Sequence, residues 1–97
     1  MKVFFIGNVI FSKVAFETLL NIKKVNIIGL ATKRISNFNS DHIDLSSLAK
    51  KNKIPFKYVK NINSERNYQW INELSPDLIF CIGWSSLIKK SIINIPK

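Results

Sequence analysis

The stretch VFFIG at residues 3–7 is the part of the sequence that decides the fold. Four consecutive β-branched or aromatic residues followed by glycine predict a short strand that is buried on both faces, as strands are inside parallel sheets. Residues 25–31 (VNIIGLA) predict a second such strand. Between them, the apolar residues from Phe16 to Leu20 share one helical face, with Ser12 as the expected cap. The first third of the chain therefore predicts a β-α-β unit.

The rest of the sequence repeats this alternation of strands and helices. Residues 77–83 (DLIFCIG) give the strongest strand signal, while residues 54–59 predict a weak strand that Pro55 places at a sheet edge or a strand start. Three further helices are predicted, at residues 45–53, 64–74 and 86–93. The whole chain, residues 1–97, therefore predicts one α/β domain, with a doubly wound, mostly parallel Rossmann-like sheet and helices on both faces.

Composition limits the classes of protein that this chain can be. Hydrophobic residues make up 46% and charged residues 22%, as in ordinary folded domains, and no run approaches the ~18 apolar residues of a membrane span. The formal net charge of +9 attracts anions but does not select among them, and the lysines are scattered as on solvated helix faces. The first seven residues are too short for a signal peptide. We expect a cytoplasmic protein that does not associate with membranes.

Cys81 is the only cysteine, and it lies in a predicted apolar strand. No intramolecular disulfide is possible, which fits a reducing compartment, and we expect a buried, unreactive thiol. The only histidine, His42, stands beside Asp41 and Asp44 in a polar stretch. Without a nearby nucleophile, an exposed loop position is the favoured interpretation of His42. The sequence predicts no metal site.

Ligands of doubly wound folds bind beyond the carboxyl ends of the strands, which directs attention to two turns. The turn at residues 7–12 has a single glycine, so it lacks the dinucleotide motif G-x-G-x-x-G and the P-loop lysine. Its backbone N–H groups suit an anionic or polar substrate group, but a purely structural turn fits equally well. In the other turn Trp84 follows Gly83. Its indole is either a wall for a flat heterocycle or a cover for the core.

Several segments together resemble one enzyme family. They are residues 1–7 (MKVFFIG), Phe11-Ser12, Ile54-Pro55 and residues 76–84 (PDLIFCIGW), and their order and spacing are similar to those of the N10-formyltetrahydrofolate-dependent formyltransferases. This family includes methionyl-tRNA formyltransferase, phosphoribosylglycinamide formyltransferase and the sugar N-formyltransferases. The resemblance implies a transferase that uses N10-formyltetrahydrofolate as formyl donor and an amine as acceptor.

The resemblance also assigns the two turns. The pterin-side positions that it implies are Gly83, Trp84, Ser86, Leu87 and Ile88. The substrate-side positions that it implies are Gly7, Asn8, Phe11 and Ser12. Residues 37–46 and the turn at Trp84 look more like the sugar enzymes than like the methionyl-tRNA enzyme, so a nucleotide-linked amino sugar is the favoured acceptor and tRNA the other one.

The catalytic Asn, His and Asp of the family have no counterparts in these residues, and His42 does not match the family's histidine. We therefore expect an N-terminal portion of a formyltransferase domain that has no catalytic residue of its own, is inactive alone and self-associates through the strand at residues 77–83. Two alternatives remain. One is a stand-alone folate- or nucleotide-binding α/β module without turnover, and the other is a basic nucleic-acid-binding domain.

Overall fold

Four parallel strands form one sheet in the computed structural model, which describes residues 1–34, 42–84 and 88–96. The strands are β1 (Lys2–Ile6), β2 (Asn26–Thr32), β3 (Phe56–Tyr58) and β4 (Leu78–Cys81), in the spatial order β3-β2-β1-β4. The helices are α1 (Ile10–Leu20), α2 (Ser46–Lys51), α3 (Glu65–Leu74) and α4 (Lys90–Ile93). The predicted α/β fold with a parallel sheet is confirmed.

Strand β1 is central because its four apolar residues are fully buried. Val3 and Phe5 point into a first core cluster with residues of α1 and α2, whereas Phe4 and Ile6 point into a second core cluster with residues of α3 and α4. Helices therefore cover both faces of the sheet, as the continuous apolar run in β1 predicts.

The strand order reverses at β1, which pairs with β2 on one side and with β4 on the other. Ile6 lies opposite Ala31 in β2 and opposite Cys81 in β4. The carboxyl ends of these three strands thus lie side by side. In doubly wound folds this arrangement marks the ligand-binding edge.

Local signals place several element ends correctly. Helix α3 begins after Ser64, whose side-chain oxygen accepts a hydrogen bond from the Asn67 N–H at 3.2 Å, and it ends at Ser75 in a left-handed conformation (φ 51°). Strand β3 begins directly after Pro55 and lies at a sheet edge, and these are the two positions that the proline allowed. No helix within the described ranges has the length and apolar character to cross a membrane.

Two predictions from local pattern are wrong. Helix α1 begins at Ile10 with Val9 as its N-cap, so Ser12 lies inside the first turn instead of capping it. Cys81 is exposed instead of buried, because β4 is the other edge strand of the sheet. Both errors arise from long-range contacts that neighbouring residues do not reveal.

Candidate functional site

The turn after β1 is packed directly against the turn after β4. Ser12 Oγ accepts a hydrogen bond from the Val9 N–H at 3.3 Å and donates one to the carbonyl oxygen of Ile82. A Cβ on Gly7 would lie 2.7 Å from that same carbonyl oxygen. The close approach explains why glycine is required at position 7. It also explains the position of Ser12, whose hydroxyl joins the two turns.

Gly83 completes this contact from the side of β4. Its φ of +70° favours glycine, and a Cβ there would lie 2.1 Å from Val9 Cγ2 and 2.6 Å from Ser12 Oγ. The resemblance to the formyltransferases implies a substrate side for Gly7 and Ser12 and a pterin side for Gly83. The fold brings these two groups of residues into one place.

Asn8 is fully buried at the end of the central strand. Its Nδ2 lies 3.3 Å from Nδ1 of His42, and its backbone carbonyl accepts a hydrogen bond from the Ile43 N–H at 2.7 Å. Its Oδ1 has no hydrogen-bond partner within the described residues. A buried acceptor without a donor is uncommon in proteins, and at a ligand-binding edge it is a candidate contact for a ligand N–H or O–H.

His42 is partly buried and contacts Asn8, so it is not the exposed loop residue that the sequence favoured. The backbone at His42 forms a bridge with Val9, and its Nε2 lies 2.8 Å from the Arg34 carbonyl oxygen. With the proton on Nε2, the imidazole donates to that carbonyl and accepts from Asn8 Nδ2. In this tautomer the Asn8 Nδ2 group donates to the imidazole, so Oδ1 is the amide atom that has no hydrogen-bond partner within the described residues.

Phe11 is separated from the other predicted substrate-side residues. Its side chain is 69% exposed and, with Val14 and Phe80, lines an apolar groove of about 330 Å³ between α1 and β4. Gly7, Asn8 and Ser12 are instead buried. The structure thus divides the four positions into a buried turn and an exposed apolar groove.

Trp84 lies partly buried against the second core cluster, together with Ile88. Its Nε1 is buried and has no acceptor within the described residues. The Lys33 ammonium lies 4.7 Å from the centroid of its ring, so one indole face already carries a cation. The other two predicted pterin-side positions, Ser86 and Leu87, lie outside the described residues.

The cations of this edge were not predicted as site residues. Lys33 and Arg34 follow β2 directly, and Arg34 Cζ lies 4.7 Å from the Tyr58 ring centroid. The Tyr58 hydroxyl in turn donates to Asp44 Oδ2 at 2.8 Å. A possible signal was the pair of cations directly after a strand, but their aromatic partners are distant in sequence.

The pKa of Asp44 shows that this corner favours a charged carboxylate. Partial burial opposes ionisation, but hydrogen bonds from the Ser46 N–H, the Tyr58 hydroxyl and the Ser46 hydroxyl, with the nearby His42, lower the pKa below its ordinary value. Asp44 therefore neutralises part of the positive charge near β3. The Trp84 side of the edge keeps the Lys33 ammonium without a described carboxylate partner.

These features describe an α/β chain with a polar, cationic candidate site at the carboxyl edge of its sheet, and the chain is similar to several known proteins. No protein-family profile matches the chain. A methionyl-tRNA formyltransferase of Ureaplasma urealyticum is 29% identical over an alignment of 103 positions, covering 99% of this chain and 32% of that protein. A methionyl-tRNA formyltransferase of Ehrlichia ruminantium is 25% identical over 101 positions, covering 100% of this chain and 33% of that protein.

A third relative matches a shorter region. The bifunctional polymyxin resistance protein ArnA of Wigglesworthia glossinidia brevipalpis is 36% identical over 66 residues, covering 65% of this chain and 10% of that protein. The chain spans a third or less of the length of these curated relatives. At these low identities, the similarities support a relationship to the formyltransferases.

Proposed function

We propose that this chain is the N-terminal portion of an N10-formyltetrahydrofolate-dependent formyltransferase that transfers the formyl group to an amine. The observation that carries the proposal is the similarity to two methionyl-tRNA formyltransferases over 99% and 100% of the chain. The fold is compatible with it, because the turns after β1 and β4 meet at the carboxyl edge of a parallel sheet.

The described residues fit a folate and an amine in two respects. Asn8 Oδ1 is a buried acceptor without a partner, and both a pterin and an amine carry N–H donors. The indole of Trp84 offers an aromatic surface at the end of β4. In this proposal Gly83, Trp84, Ser86, Leu87 and Ile88 form the pterin side. Gly7, Asn8, Phe11 and Ser12 form the substrate side.

The chain's own residues bind and orient, and they do not catalyse. The folate, when bound, supplies the formyl group at N10. Formyl transfer also needs a base for the attacking amine and donors for the oxyanion at the formyl carbon. His42 does not suit the role of base, because its two ring nitrogens bond Asn8 and the Arg34 carbonyl. We propose that the catalytic groups lie outside these 97 residues.

A nucleotide-linked amino sugar is the proposed acceptor. Lys33 and Arg34 supply positive charge beside the substrate-side turn, and the net charge of +9 favours an anionic substrate. Methionyl-tRNA is the other candidate, since it is also anionic and two of the relatives carry its name. An assay that offers both acceptors to the longest protein encoded by the gene, with N10-formyltetrahydrofolate, tests the function and distinguishes the acceptors.

The 97-residue chain alone should have no formyltransferase activity with either acceptor. A missing base and missing oxyanion donors each reduce the rate by about 10²–10³-fold or more. The measurement is release of tetrahydrofolate by the purified chain, compared with a heat-treated sample. Turnover well above that control would show that the catalytic groups are within these residues and would contradict the assignment.

Any folate binding by the chain alone should be weak and should depend on Trp84. We expect a stable N10-formyl folate analogue to quench the fluorescence of a Trp70→Phe variant and not that of a Trp84→Phe variant. Trp70 is a matched control, because its ring also carries a lysine, with Lys57 Nζ 4.6 Å from the centroid. Quenching that survives in Trp84→Phe and is lost in Trp70→Phe would show that the folate binds near Trp70 and would contradict the assignment.

A further inference from the structure

The two tryptophans of the chain have similar cation–π partners but different indole N–H groups. Lys33 Nζ lies 4.7 Å from the Trp84 ring centroid, and Lys57 Nζ lies 4.6 Å from that of Trp70. Trp70 also contacts Phe4 edge to face at 5.2 Å. Nε1 of Trp84 is buried without an acceptor within the described residues, and no such unpaired buried group occurs at Trp70.

Trp84 Nε1 and Lys33 Nζ have the same chemical requirement. An indole N–H is only a donor, and an ammonium carries three donors and no acceptor. The ammonium overlies the face of the ring that carries Nε1, so both donors belong to one lysine–indole pair. No carboxylate in the described part of the chain pairs with Lys33. The partner that both donors lack is an oxygen atom, and next to an ammonium a negatively charged oxygen is favoured.

We propose that Lys33 and Trp84 form an oxyanion subsite at the carboxyl edge of the sheet. Lys33 directly follows β2 and Trp84 lies three residues after β4, so the subsite spans the end of β1 between them. It takes a phosphate or a carboxylate group. Within the proposed function, such a group comes either from a nucleotide-linked substrate or from the glutamyl tail of the folate.

The subsite is tested with an inorganic anion, so its test does not depend on formyl transfer. The probe is sodium pyrophosphate, added at constant ionic strength to a Trp70→Phe variant in which Trp84 is the only tryptophan. We expect a saturable change in Trp84 emission, since an anion bound to Lys33 alters the cation on the indole face. Absence of any saturable change would overturn the proposal.

Lys33→Met and Lys57→Met, each made in that variant, separate a specific site from general attraction. Both substitutions remove one positive charge from a lysine that overlies an indole, so both lower the net charge equally. We expect Lys33→Met to weaken pyrophosphate binding about tenfold and Lys57→Met to leave it nearly unchanged. Equal weakening by both would show attraction by the net charge and overturn the subsite.

Two further variants test the donors themselves. Lys33→Arg retains the charge and should restore most of the binding that Lys33→Met loses, with circular dichroism confirming that both fold. Trp84→Phe keeps an aromatic ring under Lys33 but lacks the N–H, and we expect a several-fold loss of pyrophosphate affinity in ³¹P NMR titration. Full affinity in Trp84→Phe would remove the indole N–H from the subsite and overturn the proposal as stated.

The two sources of the oxyanion are distinguished by ligand pairs. A nucleoside diphosphate compared with its nucleoside tests the phosphate source, and a pteroylglutamate compared with pteroate tests the glutamyl source. The true source is the one whose charged member binds more tightly and loses that advantage in Lys33→Met. If neither pair depends on Lys33, the subsite is overturned, whereas a folate that fails to bind in any form contradicts the proposed function instead.

Discussion

The two edges of the sheet are built in opposite ways. At the β3 edge, aromatic residues alternate with lysine, and cations cover the rings: Lys50 Nζ lies 5.6 Å from the Phe56 centroid and Arg34 Cζ lies 4.7 Å from that of Tyr58. At the β4 edge the strand carries no charge, and Leu78 is 38% exposed. Charges and a preceding proline are known devices against edge-to-edge pairing. A proline precedes both strands, but only β3 carries a charged residue within the strand.

The surroundings of each edge extend this contrast. The Tyr58 hydroxyl bonds both Asp44 Oδ2 at 2.8 Å and Ser46 Oγ at 2.9 Å, which fixes β3 to the start of α2. Beside β4, the apolar groove lined by Phe11 and Phe80 is open. An uncharged edge next to an open apolar groove is suited to contact with more polypeptide, whereas the β3 edge is suited to water.

The largest effect should come from placing a charge on the β4 edge. We expect the chain to self-associate through this edge, and Leu78→Lys to shift it to monomer, because Leu78 is exposed and belongs to neither core cluster. Sedimentation velocity at high protein concentration and moderate salt measures the shift. Lys57→Leu, the matched change at the β3 edge, should instead increase self-association.

Three outcomes would contradict this view of the edges. A wild-type chain that sediments as a concentration-independent monomer would show that the β4 edge does not pair. Self-association that Leu78→Lys leaves intact would place the contact elsewhere. Loss of cooperative unfolding in Leu78→Lys would show that this position is central to the core instead of marginal to it.

The contrast also shows what the sequence could predict. The run from Val3 to Ile6 specifies a strand buried on both faces, and the fold followed from that signal and its repetition. Pro55 likewise indicated a strand start or a sheet edge. These features are local, since burial on both faces and a missing N–H are properties of the segment itself.

The features that the sequence missed are contacts between distant segments. Ser12 fits a helix cap by local pattern, but the carbonyl of Ile82, 70 residues away, determines its hydroxyl contact. Asn8 and His42 are 34 residues apart, and nothing local to either predicts the amide–imidazole contact. That the turns after β1 and β4 lie close together was predictable from the fold class. The sequence did not predict that Asn8 Oδ1 and Trp84 Nε1 would lack a hydrogen-bond partner within the described residues.

A smaller effect is expected from Asp44, which anchors the β3 side. Its pKa is lowered in the folded chain, so its contribution to stability is present above the unfolded pKa and is lost as pH falls through the lower folded value. Asp44→Ala also removes the acceptor of the Ser46 N–H, 2.8 Å away. We expect a loss of about 1 kcal/mol in the free energy of unfolding at pH 7.

Urea denaturation of wild type and Asp44→Ala at pH 7 and near pH 3 measures this contribution. The difference between the two proteins should shrink at the lower pH, where the carboxyl group of the wild type begins to take up a proton. A difference that grows on acidification would mean that the folded chain raises the pKa of Asp44. That result would show that the charged form of Asp44 does not stabilise the β3 side.

The smallest effect concerns Cys81, at the end of β4. The thiol is exposed, yet desolvation raises its pKa above the ordinary value of 9.0. Alkylation proceeds through the thiolate, so the chain should react with iodoacetamide more slowly at pH 8 than a cysteine in an unfolded peptide, and the rate should reach half its maximum at a higher pH. The urea-unfolded chain is the control and should show the ordinary pH dependence.

Self-association at the β4 edge would slow alkylation of Cys81 further as the protein concentration rises, and Leu78→Lys should remove only that concentration-dependent part. A folded chain that alkylates faster than the unfolded one would show that the net positive charge outweighs desolvation at this edge.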